Sequence, residues 1–599
     1  MSLLQKAVET YDAHAHYAGK IEAGRQPLAP ISHLITNAKI EITVDEQGRF
    51  VDASIVDKAD SKTIIPATEE SAGRTRAACA HPLCEQVGYL SGQDASKFAL
   101  YVEQLENWVS SPYSHAMLAP ILSYVSGKTL LSDLASCGID APGDKDLIRW
   151  RVVGIGEESG PCWANQHLFK AFIDWYESTR AEKESPSTSS FCMISGEALS
   201  PAKLHPKGII PMFGNAKLIS SNDDSGFTYR GRFLSEFEAT TVSYASSQKA
   251  HNALRWLAAE QGGRVIFGGR TFLCWNPQGK YVPHALLPTL IQTPALITPT
   301  DYKAELQRTL QGFRSELPET QGGVVIAAFD AATTGRLALT YYNELLASDF
   351  LDRLHDWDLN CCWWNWNIES KQLTIQSPPL WQIVNCAFGT QRVEKGAARL
   401  VTDDRVMKQQ IQRLFACRID RSPMPADIEA LLVNRTSSPS FFEPSVYRRL
   451  LFTTCAVIKK YRYDHFKEEC DMSLEKDKQD RSYQFGRLFA VLDQVERDYY
   501  QRTGEDRLTN AMKSLPAFRQ HPWCIFERLN RHLQQAYLPR VQSWQRKRYE
   551  ILCSEIIEKL NTLCVNNLDN KLDDTYLLGY YLQRNDFFKS KNESKQEEN

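Results

Sequence analysis

The sequence lacks the features by which several large classes of protein are recognised. No apolar run of about 18 residues occurs in its 599 positions, so it predicts no membrane helix and no membrane partner. The charged residues Lys6 and Glu9 come too early for a secretory signal. Walker and dinucleotide-binding glycine spacings are absent, which predicts no nucleotide cofactor. A net charge of −3 excludes a protein that coats nucleic acid indiscriminately.

The sequence also lacks a disulfide framework. Its 15 cysteines are scattered without regular spacing, which is typical of reduced thiols and predicts a cytoplasmic protein. Cys79, His81 and Cys84 lie close together. Their C-x4-C spacing, with no second Cys/His pair at a finger-like distance, does not fit a zinc site. We therefore predict no metal site.

The length predicts a multidomain α+β protein. Helix and strand patterns alternate through a mixed α/β N-terminal domain (1–245) and a mixed α/β middle domain (246–402). From about residue 403 glycine is rare and apolar residues recur at a helical period, which predicts an all-α C-terminal part. We divide that part into a helical connector (403–471), a helical bundle (472–585) and a disordered tail (586–599) without apolar anchors.

Local patterns predict several elements within these domains. Apolar residues at helical spacing over 2–16 predict an opening helix. Two alternating runs over 39–58 predict a β-hairpin. Residues 246–261 predict a helix with Ser246 or Ser247 as its N-cap.

The stretch 192–232 is poor in apolar periodicity and rich in side chains that contact phosphates or base edges. Its five glycines suit sharp turns or a close approach of the backbone to a ligand. Such a loop in a large globular chain favours function over simple connection, and here it favours contact with extended nucleic acid. The candidate DNA-binding residues are His205, Lys207, Asn215, Lys217, Ser221, Asn222, Arg230 and Arg232.

A shorter segment, 74–81, is the second candidate DNA contact. Arg74 and Arg76 flank Thr75 directly after a glycine, and His81 follows. Two arginines in such a turn can fork onto phosphates or base edges. An ordinary solvated loop is the alternative.

The predicted C-terminal helices carry many basic residues, which suits tracking of a displaced single strand. An ordinary solvated helix face is the alternative. The candidates for this displaced strand are Arg528, Arg531, Arg540, Arg546, Lys547 and Arg548.

Two other readings of the sequence stay open. One is a metal-dependent nuclease that uses His355, Asp356 and Asp358, although the further His or carboxylate motif of such a site is not evident nearby. The other is a purely architectural helical scaffold. The tryptophan-rich run 361–367 could stack unpaired bases, but so apolar a run favours a place in the core. We expect no catalytic residue.

Several motifs, in order along the chain, resemble one known family. They are Leu204-His205-Pro206-Lys207, Ser220-Ser221-Asn222, Gly269-Arg270-Thr271-Phe272-Leu273-Cys274-Trp275, Met472-Ser473-Leu474 and the run from Tyr483 to Leu492. Almost end to end, the sequence resembles the large subunit of the type I-C CRISPR surveillance complex (Cascade), of the Csd family.

The resemblance implies a nucleic-acid-binding scaffold and not an enzyme. Such subunits recognise the protospacer-adjacent motif in double-stranded target DNA, promote unwinding, stabilise the R-loop and recruit a separate helicase-nuclease. Guide pairing reads the remaining sequence. The implied partners also include the CRISPR RNA ribonucleoprotein, with its backbone and crRNA-processing subunits. The C-terminal helices resemble the family's small subunit, and Met472 is the expected internal start for a separate copy.

The sequence departs from the family in the first candidate segment. The family's Arg-Thr-Ser-Gly is replaced by Arg74-Thr75-Arg76-Ala77, and its Asn-Phe-Leu-Cys-Asp by His81-Pro82-Leu83-Cys84-Glu85. An asparagine offers a base edge both a donor and an acceptor, which a histidine does not match. Arg76 is the candidate to take over part of that task.

Overall fold

The computed structural model describes residues 2–22, 24–74, 77–183, 190–220, 233, 240–261, 263–290, 298–317, 323–333, 335–367, 372–394, 396–563 and 567–597. These residues form a multidomain α+β protein with several small sheets and a helical C-terminal part, which confirms the predicted class.

Two compact units interleave along the chain. The first comprises Met1–Ile266, Arg270–Val282 and Leu317–Leu346. The second comprises the remaining residues, most of them in Ala347–Asn599. The predicted boundary between residues 245 and 246 coincides with no limit of either unit. The five-part division of the sequence stays a prediction.

The first unit contains eight described α-helices. They are α1 (Leu3–Ala13), α2 (Glu69–Gly73), α3 (Val87–Leu90), α4 (Ala95–Val109), α5 (Leu118–Ser126), α6 (Leu130–Ser136), α7 (Gln166–Lys183) and α8 (Tyr244–Trp256). The strands assigned with this unit are β1 (His33–Asn37), β2 (Ile40–Val44), β3 (Phe50–Ile55), β4 (Lys62–Pro66), β5 (Ile148–Val152), β6 (Gly160–Pro161), β7 (Ser190–Phe191), β8 (Ala198–Leu199), β9 (Val265–Phe267), β10 (Arg270–Trp275), β11 (Val324–Thr333) and β12 (Arg336–Leu345).

Two four-stranded sheets organise this unit. One has the order β3-β2-β5-β6, with β2 antiparallel to β3 and parallel to β5. Its apolar side chains, including Ile42 and Trp150, share a core with Trp108 of α4. The other sheet has the order β12-β11-β10-β9, and its strands β10 and β11 share a second core with α1 and α8. The core around α1 and α8 is therefore completed by strands β10 and β11, which lie far from α1 in sequence.

Side-chain capping explains where two helices begin. The Ser2 hydroxyl accepts a hydrogen bond from the Gln5 amide, and Gln5 Oε1 accepts one from the Ser2 amide, a capping box that confirms the opening helix. The prediction of Ser246 or Ser247 as the cap of α8 is wrong. Ser243 fills that role because the helix begins at Tyr244, and Ser243 Oγ accepts from the Ser246 amide at 3.3 Å.

The second unit is mainly helical. Its helices are α9 (Pro299–Glu316), α10 (Ala347–Asn360), α11 (Leu380–Phe388), α12 (Asp404–Ile419), α13 (Ala426–Thr436), α14 (Pro444–Phe466), α15 (Arg481–Thr503), α16 (Asn510–Gln520), α17 (Pro522–Ala536), α18 (Ser543–Leu563) and α19 (Thr575–Glu597). Two antiparallel hairpins join them, formed by β13 (Trp363–Asn367) with β14 (Gln372–Gln376) and by β15 (Thr390–Glu394) with β16 (Ala397–Val401). The last helix continues to Glu597, into the tail that the sequence predicts to be disordered.

Two glycines allow α15 and α19 to pack backbone against backbone. A Cβ atom built on Gly486 would lie 1.9 Å from the carbonyl oxygen of Tyr576, and one built on Gly579 would lie 2.1 Å from that of Tyr483. Both distances are far below van der Waals contact. Only glycine fits at this crossing.

The tryptophan-rich run lies in the core of the second unit. Trp363 and Trp364 are buried, and the indole Nε1 of Trp364 donates to the carbonyl oxygen of Met472 at 2.7 Å. This confirms the core interpretation for both residues. Among the described helices, none combines the length and the apolar character that crossing a bilayer requires.

Candidate nucleic-acid interface

The structure brings the two candidate DNA-binding segments of the first unit together. Lys207 Nζ donates to the carbonyl oxygen of Arg74 at 3.0 Å and approaches that of Gly73 at 3.5 Å. These carbonyls lie at the C-terminal end of α2, where a helix favours positive charge. Segments more than 130 residues apart in sequence therefore form one surface.

Apolar residues fix the loop that carries Lys207 and Lys217. Ile209, Ile210 and Ala216 are buried in the core that contains α1 and α8. The Lys217 amide donates to the Gly335 carbonyl at 3.1 Å, and the Lys217 carbonyl accepts from the amide of Leu337 in β12 at 2.9 Å. Both lysines are thus held on a backbone that is tied to the sheet.

Lys207 and Lys217 are neighbours across an antiparallel bridge. Burial lowers the pKa of Lys207, and the charges of Lys217 and Arg74 lower it further. Burial also lowers the pKa of Lys217, against the opposing charge of Glu69. Within the described part of the chain no carboxylate forms an ion pair with either lysine. Two half-buried cations are therefore neighbours, and neither has an anionic partner among the described residues.

Arg74 is held by a buried carboxylate. Its Nη1 and Nη2 donate to Glu85 Oε2 and Oε1 at 2.5 and 2.8 Å, and Nη1 also donates to the Cys79 carbonyl. Burial acts to lower the pKa of Arg74, but the hydrogen bonds and charge of Glu85 outweigh it and raise the pKa. The guanidinium also lies 5.1 Å from the Tyr89 ring centroid. Both terminal nitrogens therefore bond to Glu85. To contact DNA as predicted, Arg74 would have to give up these hydrogen bonds.

The two candidate histidines are buried and neutral. Burial lowers the pKa of His81 to about 4 and that of His205 to about 4. His81 Nδ1 lies 3.0 Å from Ser71 Oγ, and His205 Nδ1 lies 2.9 Å from Ser247 Oγ. These contacts orient both rings from within the protein.

The remaining candidates of this surface divide into one described residue and six others. Asn215 is exposed in the turn between the two lysines. Lying outside the described residues are Thr75, Arg76, Ser221, Asn222, Arg230 and Arg232.

The C-terminal basic residues are held differently. Arg528 and Arg531 are exposed on α17, and Lys547 is exposed on α18. Arg546 pairs with Glu550 at 2.9 Å, and Arg548 lies 3.8 Å from Asp586.

The remaining arginine of this group, Arg540, is exposed and donates to the Tyr499 hydroxyl at 3.4 Å.

In the nuclease alternative, His355 Nδ1 lies 3.9 Å from Asp356 Oδ1, and each of the two aspartates is paired with an arginine. Asp358 is buried, pairs with Arg418 at 3.2 Å and accepts from the Thr289 amide at 2.9 Å. Asp356 is half-exposed and lies 3.4 Å from Arg421. Among the described residues, no group of three or more His, Cys, Asp or Glu side chains is arranged to hold a metal ion, Cys79, His81 and Cys84 included.

Sequence reasoning missed the residues that support the surface. Glu85 orients Arg74, and its Oε2 also accepts from the His81 amide at 2.7 Å. Arg255 donates to the carbonyl oxygens of Lys207 and Gly208 at 2.8 and 3.3 Å, and burial lowers its pKa to about 10. A glutamate directly after the apolar pair 83–84 was the one available signal, since a buried carboxylate needs a partner.

The buried Glu69 is a further support. It accepts from the Leu204 amide and pairs with Arg180 at 3.1 Å. It thereby ties the first turn of α2 to the beginning of the lysine loop.

Comparison with protein families decides the broader identity. The family model described as CRISPR-associated protein Cas_Csd1 matches residues 8–588. The chain belongs to the Csd1 family of CRISPR-associated proteins. This confirms the resemblance seen in the sequence motifs. No curated protein matches the sequence.

Proposed function

We propose that this Csd1-family chain is the large subunit of a type I-C CRISPR RNA-guided surveillance complex. In this proposal it recognises the protospacer-adjacent motif in double-stranded DNA, promotes unwinding, stabilises the R-loop and recruits a separate helicase-nuclease in antiviral defence. The observation that carries the proposal is the meeting of Lys207 with the backbone of Arg74. It joins two independently predicted DNA-contacting segments into one cationic surface.

The chemistry of this surface suits phosphate. Two adjacent lysines without a described carboxylate partner offer strong donors at fixed positions, and phosphate contacts fix the register of a protein on duplex DNA. Lys207, Lys217, Arg230 and Arg232 would hold phosphates. Asn215 and Asn222 would supply base or wedge contacts, since an amide offers a base edge both a donor and an acceptor.

Affinity measurements on motif variants of a duplex at fixed salt test the proposal. Lys207→Ala and Arg232→Ala should each weaken binding about tenfold on all motif sequences, since each removes a charge-assisted hydrogen bond. Each should also reduce the slope of log affinity against log salt by about 0.9. Asn222→Ala should instead relax motif preference, by about 1–3 kcal/mol of discrimination.

The matched control is Lys303→Ala, an exposed lysine of α9 in the second unit, which should leave affinity unchanged. If all three test variants bind every motif as the natural chain does, this surface does not contact DNA. A salt-insensitive assembly without DNA crosslinks to this chain would support the architectural alternative.

The proposal includes specific partners and a location. The chain would assemble with the CRISPR RNA ribonucleoprotein in the cytoplasm, a compartment consistent with the 14 described cysteines being free thiols. A small subunit would be translated from Met472. We propose no bond-breaking step for this chain itself. DNA cleavage by the purified chain with Mg²⁺ or Mn²⁺, abolished by His355→Ala, would support the nuclease alternative instead.

A further inference from the structure

A cavity of about 200 Å³ opens where the C-terminal ends of α1 and α8 meet. Three aromatic rings line it: His14, which directly follows α1, Tyr17, and Trp256, the last residue of α8. The ring centroids of His14 and Trp256 lie 5.0 Å apart, and those of His14 and Tyr17 lie 6.3 Å apart in a stacked arrangement. All residues that line the cavity belong to the first unit.

The volume of the cavity limits the size of its occupant. A cavity of about 150 Å³ in another protein holds benzene. Sites for drug-sized ligands and cofactors have volumes of about 300–1,000 Å³. The value of about 200 Å³ lies close to the first of these and below the second. The cavity therefore has room for a single aromatic ring with a small substituent.

The buried His14 ring has a hydrogen-bonding nitrogen without a partner. His14 Nδ1 lies 2.8 Å from the Thr10 carbonyl oxygen, and because a carbonyl only accepts, Nδ1 carries the ring proton. In the neutral ring Nε2 is then an acceptor, and no described residue donates to it. The backbone of Gly279 packs against the ring, since a Cβ atom there would lie 2.3 Å from Nε2. An occupant that brings a donor is favoured, because a buried acceptor without one is costly.

The wall also contains a donor without a partner. The indole Nε1 of Trp256 forms no hydrogen bond in the described part of the chain. A hydroxyl group offers both a donor for His14 Nε2 and an acceptor for this indole, whereas an indole offers a donor alone and a phenyl ring offers neither. Among aromatic side chains tyrosine therefore suits the cavity best.

Cations surround the mouth of the cavity. Lys20 and Arg25 line it and are exposed, and Lys62 Nζ donates to the Arg25 carbonyl oxygen at 3.1 Å. The lining contains one acid, Glu22, which pairs with Arg25 at 3.1 Å on the exposed surface. Lys20 has no ion pair among the described residues. Charge complementarity therefore favours an occupant whose ring is flanked by negative charge.

We propose that this cavity is a docking site for a partner protein that inserts a tyrosine side chain flanked by acidic residues. The phenol ring packs against Tyr17 and Trp256, its hydroxyl group donates to His14 Nε2, and the acidic residues meet Lys20 and Arg25. Aromatic anchors that fill a pocket carry much of the affinity of protein interfaces. This inference goes beyond the proposed function and does not depend on the DNA contacts of that proposal.

Saturation-transfer NMR of the full chain with short peptides in excess tests the site. The probe is an acetylated and amidated pentapeptide of the sequence glycine-glutamate-tyrosine-glutamate-glycine, compared with the same peptide carrying phenylalanine or leucine at the centre. The tyrosine peptide should bind with a Kd of about 0.1 mM, and the phenylalanine peptide about tenfold more weakly, because it leaves the His14 acceptor without a donor. Equal binding of the tyrosine and leucine peptides, or no binding of any peptide, would overturn the proposal.

Two variants separate the ring contact from the charges. His14→Asn keeps an amide nitrogen near the position of Nδ1 but removes Nε2, so the preference for tyrosine over phenylalanine should disappear. Lys20→Ala combined with Arg25→Ala should weaken binding of both peptides about fivefold, because two exposed ionic contacts are lost. Since both cations are exposed, this double variant tests the site even if His14→Asn lowers the thermal stability. Arg49→Ala combined with Lys145→Ala, a second exposed pair of cations in the first unit, is the matched control and should leave binding unchanged.

Three further measurements test the other occupants. Adenosine monophosphate should not displace the tyrosine peptide, and displacement would assign the cavity to a small molecule and overturn the proposal. A dimer of the free chain that the tyrosine peptide dissociates would assign the cavity to a second copy and overturn it as well. The variant of Lys20 and Arg25 should bind a motif-containing duplex as the natural chain does. Weaker duplex binding with unchanged peptide binding would place these cations on a DNA surface and overturn the docking site alone.

Discussion

The surface around Lys207 and the segment from α17 to α18 both carry basic residues predicted to contact DNA, but they hold charge in different ways. Around Lys207 two lysines are half-buried, the Lys207 ammonium is bonded to a backbone carbonyl, and a buried carboxylate, Glu85, is paired with Arg74. On α17 and α18 the basic residues are exposed. The acid buried beside them, Glu496 of α15, accepts from a backbone amide at 2.5 Å and has no described ion pair.

The difference teaches that basic composition alone does not identify a binding surface. A cation fixed by its backbone and deprived of a counter-charge loses little conformational freedom when it meets phosphate. An exposed arginine on a helix must first be ordered, and an exposed ion pair contributes little free energy. The fixed cations of the first surface are consistent with the proposed phosphate contacts, whereas on the second surface the solvated-face alternative is still open.

The largest expected effect comes from replacing Glu85, the buried carboxylate that pairs with Arg74. Glu85→Gln leaves Arg74 without its ion partner in a buried position, which should lower the free energy of unfolding by about 4 kcal/mol. Urea denaturation measures the change. Glu106→Gln, an exposed glutamate of α4, is the control and should have almost no effect. A loss below about 1 kcal/mol would mean that the pair does not organise the surface.

Glu496 of α15, which has no described ion pair, should make the stability of the protein depend on pH. Burial raises the pKa of Glu496 to about 7. A raised pKa contributes stability that is fully present below the unfolded-state value of about 4.5 and is lost as the pH rises through 7. Glu496→Gln should therefore remove up to about 3 kcal/mol of the pH-dependent loss between those values.

Thermal unfolding of the natural chain and of Glu496→Gln at a series of pH values tests this prediction. The two curves should diverge as the pH rises from 5 to 8. Glu527→Gln, an exposed glutamate of α17, should follow the natural chain. Parallel curves for the natural chain and Glu496→Gln would show that the carboxyl group is well solvated.

The smallest expected effect is at the exposed arginines. Arg528→Ala combined with Arg531→Ala should weaken single-strand binding by about threefold, because each exposed charge contributes only about 0.3 kcal/mol. Filter binding at low salt measures this change beside Lys207→Ala on duplex DNA. A tenfold loss would show that α17 is a strand-tracking face and would erase the contrast between the two regions.

Local patterns predicted much of the fold because they act within a few residues. The capping of α1 depends on Ser2 and Gln5, three positions apart, and the hairpin over 39–58 depends on alternation around one turn. The cap of α8 was misplaced because tertiary packing extended the helix back to Tyr244, beyond the periodic residues. Periodicity shows that a helix exists more reliably than where it begins.

The candidate site was predictable in composition but not in geometry. The sequence singled out Arg74 and Lys207. It could not show that Arg74 would form an ion pair with Glu85, or that Lys207 would bind the carbonyl oxygens at the end of α2. Those contacts depend on pairings through space between distant segments, which no short-range pattern encodes. The burial of His81 and His205 has the same origin.

The crossing at Gly486 and Gly579 bears on how the protein could be divided. Both glycines follow Met472, so a shorter polypeptide begun at that methionine would contain both helices of this close crossing. It would leave behind Trp364, whose indole reaches back to Met472 and whose carbonyl accepts from the Tyr581 hydroxyl. The shorter polypeptide would keep the glycine crossing. It would leave the Met472 carbonyl and the Tyr581 hydroxyl without their partner Trp364, and these groups could bind a replacement partner.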